Sequence, residues 1–249
     1  MEENRDFNFY KRQLRDYHSR VSSADELVQN FNRPDDQAEL REIIKNLHDN
    51  LSENPSPAEN YAMYFAYADI APEYMGERDR KNLWKYAKAF IDTCPKEHNL
   101  SNHIYRVIKH IPQMEASSGQ KFNCALSGLN LLPKDYPYYH DCRKQVEKIA
   151  KTDYEHLLTK ARNERNYRKQ IKAYDRALAR ITNLAAGDRY RTFYDCMQEL
   201  APIYEQTDWG KVELPHKRRV VSNRIFKSLP RDMQMIIRNR KSQRDWWTK

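Results

Sequence analysis

The segments KNLWKYAKAFIDTCP (residues 81–95) and GQKFNCALSGLNLLP (residues 119–133) carry one pattern. In each, an aromatic residue precedes an alanine by three positions, and a proline follows the alanine by eight: Trp84, Ala87 and Pro95, then Phe122, Ala125 and Pro133. Positions three apart share one face of a helix, and a proline that lacks its N–H cannot continue one. The remaining apolar residues obey the same period: Leu83, Phe90 and Ile91 in the first segment, Leu126, Leu129 and Leu132 in the second. A large ring beside a small residue lets one helix nest closely against another, so these segments predict helices packed on helices. Tyr174 and Ala177 open the pattern a third time, with Ala185 where proline stood. A further helix follows each stop, and Tyr136, Asp141 and Cys142 align with Tyr190, Asp195 and Cys196 at a spacing of 54.

Outward from this core the signals stay helical. Tyr10, Leu14, Tyr17 and Val21 form one apolar stripe, and Ser23-Ala-Asp-Glu26 reads as a capping box opening a short helix over Leu27–Phe31. Asn32 and Pro34 introduce a helix faced by Leu40, Ile43, Ile44, Leu47 and Leu51. Ser56-Pro57-Ala58-Glu59 joins a capping box to proline at the first helical position, where the missing N–H costs nothing. Tyr61, Tyr64, Phe65 and Ala68 face the helix after it, which breaks near Pro72–Gly76. Ile104, Val107, Ile108 and Ile111 mark another, closed by Pro112 and a Ser117-Ser118-Gly119 turn, and helices follow over Val146–Ala161, Tyr167–Ile181 and Tyr190–Tyr204. Connections this short force successive helices to run antiparallel.

Residues 151–184 resemble a tetratricopeptide (TPR) unit. Tyr154 and Leu157 fall on its first-helix aromatic and leucine, and Tyr167, Tyr174, Ala177 and Leu178 on its second-helix positions. The chain departs from the pattern at Leu158, where a small residue is expected, at Gln170, where alanine is expected, and in the missing closing proline. Its repeat distances of 38 and 52 also differ from the family period of about 34. Over residues 57–206 the resemblance implies a TPR-like solenoid whose groove captures an extended peptide or a helix of another protein; the residue pattern alone also allows an irregular helical bundle. Trp84, Ala87, Phe122, Ala125, Tyr154, Leu157, Tyr167, Tyr174, Ala177 and Leu178 are the expected repeat-packing positions.

Five glycines in 249 residues are too few for the turns of an all-β fold or for a glycine-rich phosphate loop. The net charge of +9 is concentrated: residues 211–249 hold 12 Lys and Arg against 3 acids, and the other 210 residues hold 32 of each sign. In this tail Pro215 starts a helix running to Leu229, and Pro230 starts another over about Arg231–Arg240, both with an apolar face. Lys217, Arg218, Arg219, Arg224, Lys227, Arg231, Arg238, Arg240 and Lys241, with Trp246 and Trp247, form a candidate contact for an anionic partner: nucleic acid phosphate, an acidic protein face or an anionic membrane.

Signs of catalysis are weak. Cys94 and His98 are separated by Pro95, which prevents the helix that would bring them together, so Cys124 or His103 has no ligand pair to complete for zinc. His140, Asp141 and Cys142 are adjacent, and adjacent helical residues point about 100° apart, too divergent for a relay. Asp35 and Asp36 fit a helix N-terminus, and His48 fits the edge of an apolar stripe. Neither a secretory signal nor a span of membrane length is legible, and Cys94, Cys124, Cys142 and Cys196 are too widely spaced for a disulfide framework. The expected division is 1–33 as amphipathic helices, 34–210 as the helical-repeat domain and 211–249 as the basic segment. The expected protein is an intracellular, cytoplasmic or nuclear, non-catalytic adaptor without cofactor or metal that binds a protein or peptide. The alternatives are a nucleic-acid-binding protein acting through 211–249, and a bacterial or viral effector acting on host proteins.

Overall fold

A computed structural model describes residues 6–25, 34–96, 98–206 and Arg231, and every regular element among them is helical. The chain divides into two compact units, Met1–Cys142 and Arg143–Lys249. The expected boundaries at 33/34 and 210/211 border or lie within stretches outside the described residues.

The first unit contains α1 (Phe7–Asp25), α2 (Pro34–Asp49), α3 (Pro57–Ala68), α4 (Glu77–Thr93), α5 (Ser101–His110), α6 (Ser118–Leu131) and the start of α7 (Tyr139–Asn163). Helix α3 is its centre: Ala62, Met63, Tyr64, Ala66 and Tyr67 are all buried, so apolar burial extends around most of its circumference. The small residues Ala62 and Ala66 permit close approach, and the most extensive packing in the fold is that of α3 on α4. Its start is the expected capping box: Glu59 N–H donates to Ser56 Oγ at 3.2 Å and Ser56 N–H donates to Glu59 Oε2 at 2.8 Å. Leu40, Ile43, Ile44 and Leu47 of α2 are buried, and Asp35 and Asp36 lie in its first turn as expected.

The structure corrects several details. Ser23 does not stand at a helix start, because α1 continues through it to Asp25; the segment Leu27–Phe31 lies outside the described residues. Ser117-Ser118-Gly119 is a helix start rather than a turn. Ser117 Oγ accepts from Gln120 N–H and the Gln120 side chain accepts from Ser117 N–H, so the glutamine three residues on was the overlooked signal. Trp84 is only part-buried while Tyr86, two residues on, is 2% exposed and stacked on Tyr67 of α3.

The second unit contains most of α7, with α8 (Tyr167–Ile181) and α9 (Ala186–Gln206), and α8 packs against α9. Helix α8 has the residues expected, and Tyr174, Ala177, Leu178 and Ile181 bury one face. Tyr167 does not pack: it is the first helical residue, 46% exposed. Leu157 is part-buried, and its neighbour Leu158 takes the buried place. Cys142 and Cys196 are both buried, and Asp141 and Asp195 before them are both helical and exposed, but Tyr136 precedes its helix whereas Tyr190 lies inside one, so the 54-residue alignment holds for the aspartates and thiols and not for the tyrosines.

Candidate binding surface

The expected packing residues fall in both units. Ala87, Phe122 and Ala125 are buried on α4 and α6 of the first unit, and Tyr154, Tyr174, Ala177 and Leu178 on α7 and α8 of the second. In the second unit they are tied down by polar bonds with no local sequence signal. Glu199 accepts two bonds from Arg162 and one from Tyr174 Oη at 3.0 Å, and Arg180 Nε donates at 2.7 Å to Asp153, which is 1% exposed. The Arg162 bonds first, despite burial, hold the Glu199 carboxyl below its ordinary range. Of the tail residues only Arg231 is described, helical and exposed; Lys217, Arg218, Arg219, Arg224, Lys227, Arg238, Arg240, Lys241, Trp246 and Trp247 lie outside the described residues.

A surface feature appears where helix periodicity gives no hint of it. The connection from α6 to α7 reads Pro133-Lys-Asp-Tyr-Pro-Tyr-Tyr139, and its two prolines hold it out of a helix. Tight turns form instead: Tyr136 N–H donates to Pro133 O at 3.1 Å and Tyr139 N–H to Tyr136 O at 2.9 Å, before Cys142 N–H donates to Tyr138 O at 3.0 Å and α7 begins. Tyr136 and Tyr138 are thereby set beside Tyr105 of α5. The Tyr105 and Tyr138 rings stack with centroids 4.9 Å apart and planes at 23°, while Tyr136 meets Tyr138 edge-on at 5.8 Å. Tyr136 Oη donates to Asn102 Oδ1 at 2.7 Å, which anchors the loop to α5. Lys109 Nζ sits 5.2 Å from the Tyr105 ring centre. Tyr138 is 48% exposed, an unusual position for a large ring already engaged in stacking.

The rim carries both signs. Lys109, Lys134, Asp135, His140 and Asp141 are all exposed, so the patch has no cationic track for a phosphate backbone. Beneath it Cys142 is 1% exposed, and burial first, then Asp141, pushes its thiol up to about 12. His140 and Asp141 face solvent while Cys142 faces inward, so the structure does not assemble these three into a relay. Cys124 and Cys196 are likewise pushed up to about 12, chiefly by burial, which keeps the thiols protonated and poorly nucleophilic at neutral pH. His48 is held by two phenols, Tyr67 Oη at 2.8 Å from Nε2 and Tyr86 Oη at 3.3 Å from Nδ1, and burial lowers its pKa. No helix among the described residues is long and apolar enough to cross a membrane. Comparison with protein-family models, curated proteins and solved structures found no match for the chain.

Proposed function

We propose that this chain is a non-catalytic adaptor that engages an extended, proline-containing segment of another protein on the Tyr105–Tyr136–Tyr138 platform, with residues 211–249 as a second, electrostatic contact. The observation that carries this reading is the stacked pair Tyr105 and Tyr138, preassembled at the surface with Tyr138 nearly half exposed. Tyrosine offers large contact area at small entropic cost, and preformed aromatic faces suit the flat rings of a polyproline-type segment. The mixed-sign rim favours a protein over a nucleic acid at this patch. The resemblance to tetratricopeptide-type stacks, which capture peptide segments, supports the same reading.

The experiment places a photo-crosslinking amino acid at position 138 of the full chain in cells and compares it with the same chain carrying Tyr105→Ala. A discrete, nuclease-resistant protein adduct that Tyr105→Ala abolishes is expected. A nuclease-sensitive adduct transfers the reading to single-stranded nucleic acid binding; adducts indifferent to Tyr105→Ala refute the platform as the site.

A further inference from the structure

Away from the tyrosine platform, and independent of it, α1, α3 and α5 enclose a cleft of about 470 Å³. Volumes of this order suit a small organic ligand. Its walls are aromatic: Tyr61 meets His103 edge-on at 4.1 Å, packs on Phe90 at 5.1 Å, and lies nearly parallel to Phe65 at 6.1 Å. Its cations are Lys11 and Arg15 from α1 and Arg106 from α5. None of the three forms an ion pair among the described residues.

The nearby carboxylates are engaged. Glu59 closes the Ser56 cap, and Asp69 Oδ2 lies 3.0 Å from His18 Nδ1. Glu59 still acts on Lys11 and Asp69 on Arg106, and the three cations register on the residues that share the cleft. Burial first, then Arg106, Lys11 and Arg15, lower the pKa of His103; burial first, then Arg15, lower that of Lys11, with Glu59 opposing. His103 Nδ1 of the lining is buried without a hydrogen-bond partner, and Tyr61 Oη is buried beside Arg106, whose charge and side-chain bond oppose the burial that raises the Tyr61 pKa.

Three cations around an aromatic wall match a ligand that joins a flat ring to a dianion. We infer that this cleft binds an aryl phosphate, its ring against Tyr61 and Phe65 and its phosphate between Lys11, Arg15 and Arg106. A dianion answers the unpaired charge better than a monocarboxylate, and the ring faces supply what free phosphate cannot use. Two sources present this chemistry, a free small molecule and a phosphotyrosine side chain of a protein.

Calorimetric titration of the full chain with phenyl phosphate, inorganic phosphate, phenol and a short phosphotyrosine peptide tests it. Phenyl phosphate should bind more tightly than either inorganic phosphate or phenol. Lys11→Ala and Arg106→Ala should each weaken it about tenfold, the loss of one charge-assisted contact, while Lys144→Ala, an exposed cation outside the cleft, leaves it unchanged. Lys11 is part-buried and Arg106 and Lys144 are exposed, and circular dichroism checks that each variant remains folded. A peptide that binds more tightly than phenyl phosphate assigns the site to a protein ligand, and the reverse order assigns it to a free metabolite. Absence of saturable binding, equal affinity for inorganic and phenyl phosphate, or affinity unchanged in both cleft variants overturns the inference.

Discussion

Replacing Asp79 by alanine should destabilise the first unit by about 2 kcal/mol through the loss of a cap and a half-buried ion pair. Asp79 is the third residue of α4, and its Oδ2 accepts from Gly76 N–H at 2.9 Å. Glycine has no side chain to return the bond, so this single contact is the whole side-chain cap of α4, worth about 1 kcal/mol. The same carboxylate takes both Arg41 terminal nitrogens, at 2.9 and 3.2 Å, joining α2 to α4. Arg41 is 45% exposed and also donates to Tyr74 O, so losing its partner leaves it solvated; solvent screening limits the pair to about 1 kcal/mol. Asp79→Asn keeps an acceptor for Gly76 and should cost about half as much. Burial by itself raises the Asp79 pKa, but the Arg41 and Gly76 bonds outweigh it and the net direction is down. A depressed carboxyl contributes stability that is present above its unfolded pKa of about 3.9 and lost as pH falls through the folded value. Urea unfolding followed by circular dichroism should therefore separate wild type from Asp79→Asn at pH 7, with the gap closing towards pH 3. A pH-independent gap, or an alanine cost below about 0.5 kcal/mol, refutes the assignment.

Further outcomes follow from burial and close approach. A Cβ at Gly128 of α6 would lie 3.1 Å from Ile108 Cγ1 and 3.2 Å from Ile91 Cδ1. Overpacking of about 1–3 kcal/mol should then exceed the helix-propensity gain of about 0.5–1 kcal/mol, leaving Gly128→Ala net destabilising. Adding Ile108→Val should recover part of that loss in a double-mutant cycle, and purely additive costs would contradict the close approach. Cys124, Cys142 and Cys196 should resist iodoacetamide at pH 7.5 until urea unfolds the chain, as peptide mass mapping would show; rapid native alkylation would contradict their burial. Burial lowers the pKa values of His48 and His103, so their neutral forms contribute stability above pH of about 6.5 that fades as pH drops through the folded values. The urea midpoint should fall between pH 7.5 and 5.0, less steeply in His48→Gln; parallel profiles would remove His48 from the account.

The legible features were those whose causes act within one helical turn. The Ser56 cap, the stop at Pro95 and the limits Tyr167–Ile181 of α8 could be read from cap side chains, prolines and a 3.6-residue period, and so could the all-helical class. The choice between apolar neighbours was not legible. Trp84 and Tyr86 both suit the α4 pattern, and only the presence of Tyr67 on α3 decides that Tyr86 is the buried ring. Tyr167 fits a repeat template by spacing, yet an aromatic at the first position of a helix has no preceding turn to pack upon and remains at the surface.

The sequence by itself determined that the chain is helical, where several helices start or stop, and that positive charge concentrates in residues 211–249. Tertiary structure decided which side chains meet. Tyr105 reaches Tyr136 and Tyr138 across two helices and a proline-bounded loop, and Lys11 and Arg15 share a cleft with Arg106 from the far side of α3 in the chain. Caps and periodicity are local interactions fixed by adjacent residues, whereas a surface platform or a cleft is made by backbone elements distant in sequence, and no local pattern encodes that distance.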